Sequence, residues 1–166
     1  MCIDCTSGET HHVVERPQTI VACSGGFDPL HVGHLRLFKA ARELGDKLVV
    51  ILNSDEFLMK KKGNVFMPFS ERKELLEGVR YVDEVIGSID KDMSVCETLK
   101  MIKPTIFANG GDRETERDIP EAEVCRSLGI KMVFGVGGGK IQSSSRLVER
   151  AKNLSKRSGS QGEKKR

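Results

Sequence analysis

His31 and His34 stand three residues apart with Gly33 between them, and Gly25 and Gly26 lie just upstream. On the first turn of a helix, that spacing puts both imidazoles on one side. Two such rings can donate hydrogen bonds to phosphate oxygens and strengthen them as negative charge builds on a departing group. Glycines without a Cβ let a bulky anion approach the main chain. Taken singly, each feature has an ordinary reading: a histidine pair is also a metal-ligand pair or a surface pair, and Gly-Gly is also a turn. Gly33 tips the balance away from a metal helix, since it weakens a helix by ~1 kcal/mol and makes room for a ligand.

The chemistry requires a strand to end at the glycines and a helix to begin at the histidines. Thr19–Cys23 is a short apolar, β-branched run of the buried-strand kind, and residues 32–44 carry apolar side chains at helical spacing up to Gly45. The free N–H groups and positive dipole end of that helix then face the anion. Lys47–Asn53 is a second strand, apolar on both faces as inside a parallel sheet. Ser54, Asp55 and Glu56 open a short helix leading into a loop with Lys60, Lys61 and Lys62 before Gly63, outside the strand's carboxyl end, where ligands of open α/β sheets gather. Ser70 is expected to cap the next helix, with Leu75, Leu76 and Val79 inward, and Tyr81–Ile86 to form a third strand.

Ser94–Glu97 reads as a capping box for a helix reaching Ile102, with Val95, Leu99 and Ile102 inward and Pro104 barring its continuation. Thr105–Ala108 is a fourth strand that delivers Asn109, Gly111 and Asp112 to the same sheet edge. A helix from Pro120 at N1 to Leu128 follows, then a fifth strand, Ile130–Phe134. Gly135–Gly139, Lys140, Ser143, Ser144 and Ser145 form a second glycine-rich turn into a helix with Leu147, Val148, Ala151 and Leu154 on its apolar face. Three hydroxyls can cap that helix and donate to phosphate, and Lys140 adds a point charge. Alternating strands and helices imply one Rossmann-like α/β domain: a five-stranded parallel sheet with helices on both faces.

The run Gly25-Gly26-Phe27-Asp28-Pro29-Leu30-His31-Val32-Gly33-His34 resembles the signature of the cytidylyltransferase-like nucleotidylyltransferases, which join a nucleoside triphosphate to a phosphate monoester and release pyrophosphate. The resemblance spans about Thr19 to Lys152. It implies catalytic roles for His31, His34 and Lys140, and nucleotide contacts from Gly25, Gly26, Phe27, Gly33, Asn109, Gly111, Asp112 and Ser143–Ser145. It also implies an acceptor phosphate held by Lys61 or Lys62 and Arg72, with Mg²⁺ arriving on the triphosphate and no protein metal site. Gly110-Gly111-Asp112 is similar to the heptose 1-phosphate adenylyltransferase branch and leans to ATP. Arg80–Val85 is similar to glycerol-phosphate cytidylyltransferases and leans to CTP, so both nucleotides stay open. Flavin mononucleotide, phosphopantetheine and ethanolamine phosphate are further acceptors within the superfamily, and a non-catalytic nucleotide sensor is the rival of another class. Family members are often dimers, which leaves a homodimer open.

The 166 residues, 38% of them hydrophobic, suffice for one core. Net charge is +3, but residues 152–166 hold six of the 27 basic residues and one of the 24 acidic ones, leaving 21 basic against 23 acidic in residues 1–151. The body is therefore not a basic nucleic-acid surface. The expected organisation is a polar leader (1–16), a catalytic domain (17–152) and a basic, unstructured tail (153–166). Five cysteines, without the spacing of a small secreted domain, point to a reducing, cytoplasmic setting, and Cys23 and Cys96 read as core residues. Cys2 and Cys5 with His11 and His12 have the ligand types of a zinc site but lack its usual spacing. No apolar run approaches the ~20 residues a membrane span needs.

Overall fold

The computed structural model describes residues 16–111, 119–139 and 141–159. Five parallel strands form one sheet: β1 (Ile20–Gly25), β2 (Lys47–Leu52), β3 (Glu84–Gly87), β4 (Ile106–Gly111) and β5 (Lys131–Gly139), in the spatial order β3-β2-β1-β4-β5. The helices are α1 (Val32–Arg42), α2 (Asp55–Lys62), α3 (Phe69–Glu77), α4 (Cys96–Ile102), α5 (Glu121–Leu128) and α6 (Ser144–Gly159). Both faces of the sheet are covered, and the strands show it by alternation. Val21, Cys23, Leu48, Val50 and Leu52 pack with Phe38 of α1 and Leu76 of α3. Ala22, Ile51 and Phe107 pack on the other face with Leu99 of α4 and Cys125 of α5. At 25 cal/mol per Å², each fully buried Val, Leu, Ile or Phe among them contributes about 1.5–3 kcal/mol. Among the described residues no helix is long and apolar enough to cross a membrane.

The strand order reverses beside β1: the chain runs outward through β2 and β3, then returns to lay β4 on the other side. A crevice at the carboxyl ends of β1 and β4 follows from that reversal.

Several local expectations are corrected. The lysines occupy the last turn of α2, closed by Gly63 at φ 73°, rather than a loop. Helix α3 starts one residue before Ser70, which caps nothing; instead the Asp55 Oδ2 accepts the Phe69 N–H at 3.1 Å. Leu75 is exposed, while Leu76 is fully buried. Tyr81–Asp83 precede β3 as a turn, where Asp83 accepts the Leu48 N–H at 2.7 Å. The capping box at Ser94–Glu97 does not form, because Asp90 accepts the N–H groups of Glu97 and Thr98 (2.7 and 3.1 Å). Pro120 is the N-cap rather than the first helical residue.

Cys23 is core, but Cys96 is only half-buried and Cys125 takes the interior place expected of it. Strand β5 runs on through Gly135–Gly139, where a turn was expected. Helix α6 continues to Gly159, past the expected domain end at Lys152, and Leu154 stays exposed. The leader with Cys2, Cys5, His11 and His12, together with Asp112, Lys140 and residues 160–166, lies outside the described residues.

Candidate functional site

A cleft of about 380 Å³ opens at the carboxyl ends of β1 and β4. His31, His34, Lys61, Asn109 and Ser143–Ser145 all line it. The two glycine-bearing turns of the sequence therefore face one space.

The corner after β1 is built from its own side chains. Phe27 takes φ 49° and buries its ring against Phe38, centroid to centroid 5.2 Å, with His34 edge-on at 4.9 Å. The Asp28 carboxylate, 2% exposed, accepts the Phe66 and Met67 N–H groups at 2.8 and 2.7 Å, which ties the corner to the segment before α3. Gly25 and Gly26 line the cleft, but the space of their missing Cβ atoms is already taken. A Cβ on Gly25 would meet the Phe27 ring at 2.9 Å, and one on Gly26 would meet Leu58 Cδ2 at 2.5 Å. The glycines thus serve the packing of the corner, and the room expected at Gly33 is filled by the His31 ring, 3.0 Å from a Cβ there.

His31 is the N-cap of α1, and its Nδ1 accepts the Gly33 N–H at 3.2 Å; the His34 Nδ1 accepts the His31 N–H at 3.3 Å. This is a capping box with imidazoles in place of hydroxyl and carboxylate. The rings stack at 3.7 Å between centroids, 16° from parallel. With each Nδ1 occupied as an acceptor, the proton of each neutral ring resides on Nε2.

The three serines divide their work. Ser143 Oγ accepts the Arg146 N–H at 3.2 Å and caps α6; Ser144, buried, donates its hydroxyl to the Pro29 carbonyl at 2.9 Å; Ser145 is exposed on the cleft wall. The Ser144 bond joins the two turns directly. Asn109, 4% exposed, lines the cleft with an Nδ2 donor that finds no partner among the described residues. Gly111 pairs with Gly139 at the end of β4. Toward β2, the Lys61 Nζ lies 5.4 Å from the Phe57 ring centroid, and the Lys62 Nζ donates to the Asp28 carbonyl at 3.5 Å. Partial burial pushes the Lys62 pKa below the usual lysine value, against the opposing pull of Asp28.

Arg72, expected to meet the acceptor phosphate, is a correction. Its side chain is 0% exposed. Its Nη1 donates to the Gly26 and Asn53 carbonyls (2.7 and 2.9 Å), its Nε to Met67 (2.9 Å), and its Nη2 to Asp55 Oδ1 (2.5 Å). The guanidinium fixes the ends of β1 and β2 and does not line the cleft. The residues sequence reasoning passed over are Asn53, Asp28 and Gln142, whose Oε1 accepts the Ser143 N–H at 3.0 Å. For Asn53 a signal existed, a polar side chain directly after the apolar run Leu48–Leu52.

The family model described as Cytidylyltransferase-like matches residues 22–132, a span that takes in the histidine corner, the lysine helix and Asn109. The chain belongs to the cytidylyltransferase-like family. As such it is an enzyme of the nucleotidyltransferase class. It is 48% identical to the glycerol-3-phosphate cytidylyltransferase of Bacillus subtilis over 71% of this chain and 90% of that one. It is also 40% identical to an FAD synthase of Pyrococcus abyssi over 68% of this chain and 75% of the other. Among solved structures it resembles a lipopolysaccharide core biosynthesis protein from Thermoplasma volcanium, with TM-score 0.59 and 28% identity, covering 71% of this chain and 96% of that one. The single parallel α/β domain of the family is the fold described above.

Proposed function

We propose that the enzyme transfers a nucleotidyl group, AMP or CMP, from a nucleoside triphosphate to a small phosphate monoester. An oxygen of the acceptor phosphate forms a new bond to the α-phosphorus. The bond from the α-phosphorus to the bridging oxygen breaks, and pyrophosphate leaves with that electron pair. The acceptor oxygen is already anionic at neutral pH, so no base or covalent nucleophile is required. Catalysis is positioning and charge stabilisation.

The observation that carries the reading is the imidazole capping box: it fixes both rings, each Nδ1 on a backbone N–H, at a helix N-terminus that shares one cleft with the N-terminus of α6. The His31 and His34 donors meet charge as it grows on the leaving pyrophosphate. The backbone amides near Gly26 and Phe27, Ser145, and the cap at Ser143 hold the polyphosphate, with Asn109 Nδ2 donating to the nucleotide. Lys61 and Lys62 hold the acceptor phosphate. Lys140 and Asp112 enter on sequence grounds alone.

Mg²⁺ comes in as part of the substrate, on triphosphate oxygens and water. The described residues offer no cluster of three or more His, Cys, Asp or Glu to hold it. The test is pyrophosphate release from ATP, CTP, GTP and UTP, each paired with a panel of phosphate monoesters. A nucleotide that raises the melting temperature yet yields no pyrophosphate with any acceptor would replace this reading with that of a nucleotide sensor.

A further inference from the structure

Behind Lys61 and Lys62 a side chamber of about 70 Å³ opens off the same corner. It shares Ser24, Gly25, Gly26 and the two lysines with the main cleft, and its far wall includes Asn53 and Glu121. These two residues are 5% and 4% exposed. Asn53 Oδ1 and Glu121 Oε2 find no hydrogen-bond partner among the described residues. The rest of Glu121 is firmly held, since its Oε1 accepts the Val95 N–H at 3.0 Å. A buried acceptor left unpaired costs about 1–3 kcal/mol, and more when charged, so a fold that keeps two of them against one chamber is set to receive donors.

The two spaces have opposite polarity. The cleft presents donors, among them the unpartnered Asn109 Nδ2, as an anion requires. The chamber presents acceptors, with two ammonium groups at its mouth.

We infer that the chamber takes the hydroxyl-bearing body of the acceptor, and that the acceptor is a small polyol phosphate. Resting on the transfer reaction proposed above, this assigns the acceptor's class. The phosphate stays at Lys61 and Lys62, while hydroxyls on the adjoining carbons donate to Asn53 Oδ1 and Glu121 Oε2. An ammonium alcohol would bring its charge to the Glu121 carboxylate but also beside the two lysines, so ethanolamine phosphate is the rival acceptor. Size excludes a flavin: where one water takes ~10–15 Å³, the chamber admits about five water-sized groups, enough for a short hydroxylated chain and too few for three fused rings.

The experiment compares kcat/KM for glycerol 3-phosphate, propyl phosphate, ethanolamine phosphate and flavin mononucleotide with the preferred nucleoside triphosphate, in the wild type and in Glu121→Gln. Wild type is expected to prefer glycerol 3-phosphate to propyl phosphate about tenfold or more, the size of a hydrogen bond to a charged acceptor. Glu121→Gln keeps an oxygen for the Val95 N–H and is expected to raise the KM for glycerol 3-phosphate, shrink that preference, and leave the nucleotide KM unchanged. Should the variant not fold, the wild-type ratio decides alone. Equal use of propyl and glycerol phosphates would overturn the assignment, meaning that the chamber holds water. So would faster use of ethanolamine phosphate or flavin mononucleotide, or a preference surviving intact in the variant; all three leave the transfer reaction standing. No pyrophosphate from any acceptor would remove both readings together.

Discussion

Replacing Gly137 with alanine should loosen the bond between the histidine helix and the sheet. Strand β5 meets α1 here so closely that a Cβ on Gly137 would lie 2.7 Å from the Leu37 nitrogen and 2.8 Å from its Cα, and those are backbone atoms with no rotamer to turn aside. The residue also holds φ 85°. A left-handed backbone costs an L-residue ~1–2 kcal/mol, and forcing extra volume into a packed contact costs about 1–3 kcal/mol. A gain of about 0.4–1 kcal/mol from the stiffer unfolded chain offsets part of this. The net loss of about 1–4.6 kcal/mol should lower the melting temperature by about 2–4 °C per kcal/mol, or roughly 2–18 °C, in a chain of this size.

Two neighbours supply the controls. Gly138 has φ 81° with nothing within 4 Å of its Cβ position, and Gly139 has neither strain nor a neighbour. Calorimetry should therefore rank the alanine variants 139, 138, 137 in falling stability. Because α1 carries His31 and His34, the variant at 137 should also lose about tenfold or more in turnover at temperatures where it is folded. A Gly137→Ala protein as stable as Gly139→Ala would refute the close-crossing argument.

His34→Ala should cut turnover by ~10²-fold or more with only a modest loss of nucleotide affinity, measured by steady-state kinetics beside a binding isotherm; equal losses in both would confine His34 to binding. His31→Asn keeps an oxygen able to cap α1 but removes Nε2, so turnover should fall about as far while stability moves by only a few tenths of a kcal/mol. Arg72→Lys loses the fork that serves four oxygens and should destabilise by roughly 2–4 kcal/mol in urea titration; an unchanged midpoint with a raised acceptor KM would return Arg72 to the role of phosphate ligand. Since burial lowers the Lys62 pKa from 10.5, its charge is lost as pH rises through a value below the ordinary one. Acceptor KM should climb on that alkaline limb and recover in Lys62→Arg. In the window between the two pKa values the unfolded chain binds the extra proton, so this group makes the fold more stable with rising pH, and the climb cannot be laid to its unfolding.

The strand, corner and first helix were legible because each level of the sequence agrees there: an apolar strand, turn glycines, then helical periodicity. Phe27 was legible by identity but not by conformation, because only its packing on Phe38 and His34 holds a non-glycine residue at positive φ. Ser70 misled because a carboxylate fifteen residues earlier supplies the contact that a local hydroxyl normally would. Gly135–Gly139 misled because dense glycine spells a turn locally, whereas here one of those glycines answers to a helix crossing above the strand. Arg72 read as a ligand of the acceptor phosphate because its burial at 0% exposure depends on three carbonyls drawn from distant segments. Asn53 gave the sign of a polar side chain ending an apolar run, but Glu121 gave none, since an acidic residue opening a helix is commonplace until the chamber beside it is seen.

The reversal of strand order beside β1 has a bearing on how such enzymes diversify. Residues reaching the cleft from the β2 side and those reaching it from the β4 and β5 side descend from separate stretches of chain, joined at the histidine corner. Either flank can take substitutions while the histidine corner stays fixed, and Glu121 of α5, which lines the chamber together with Asn53, couples the two.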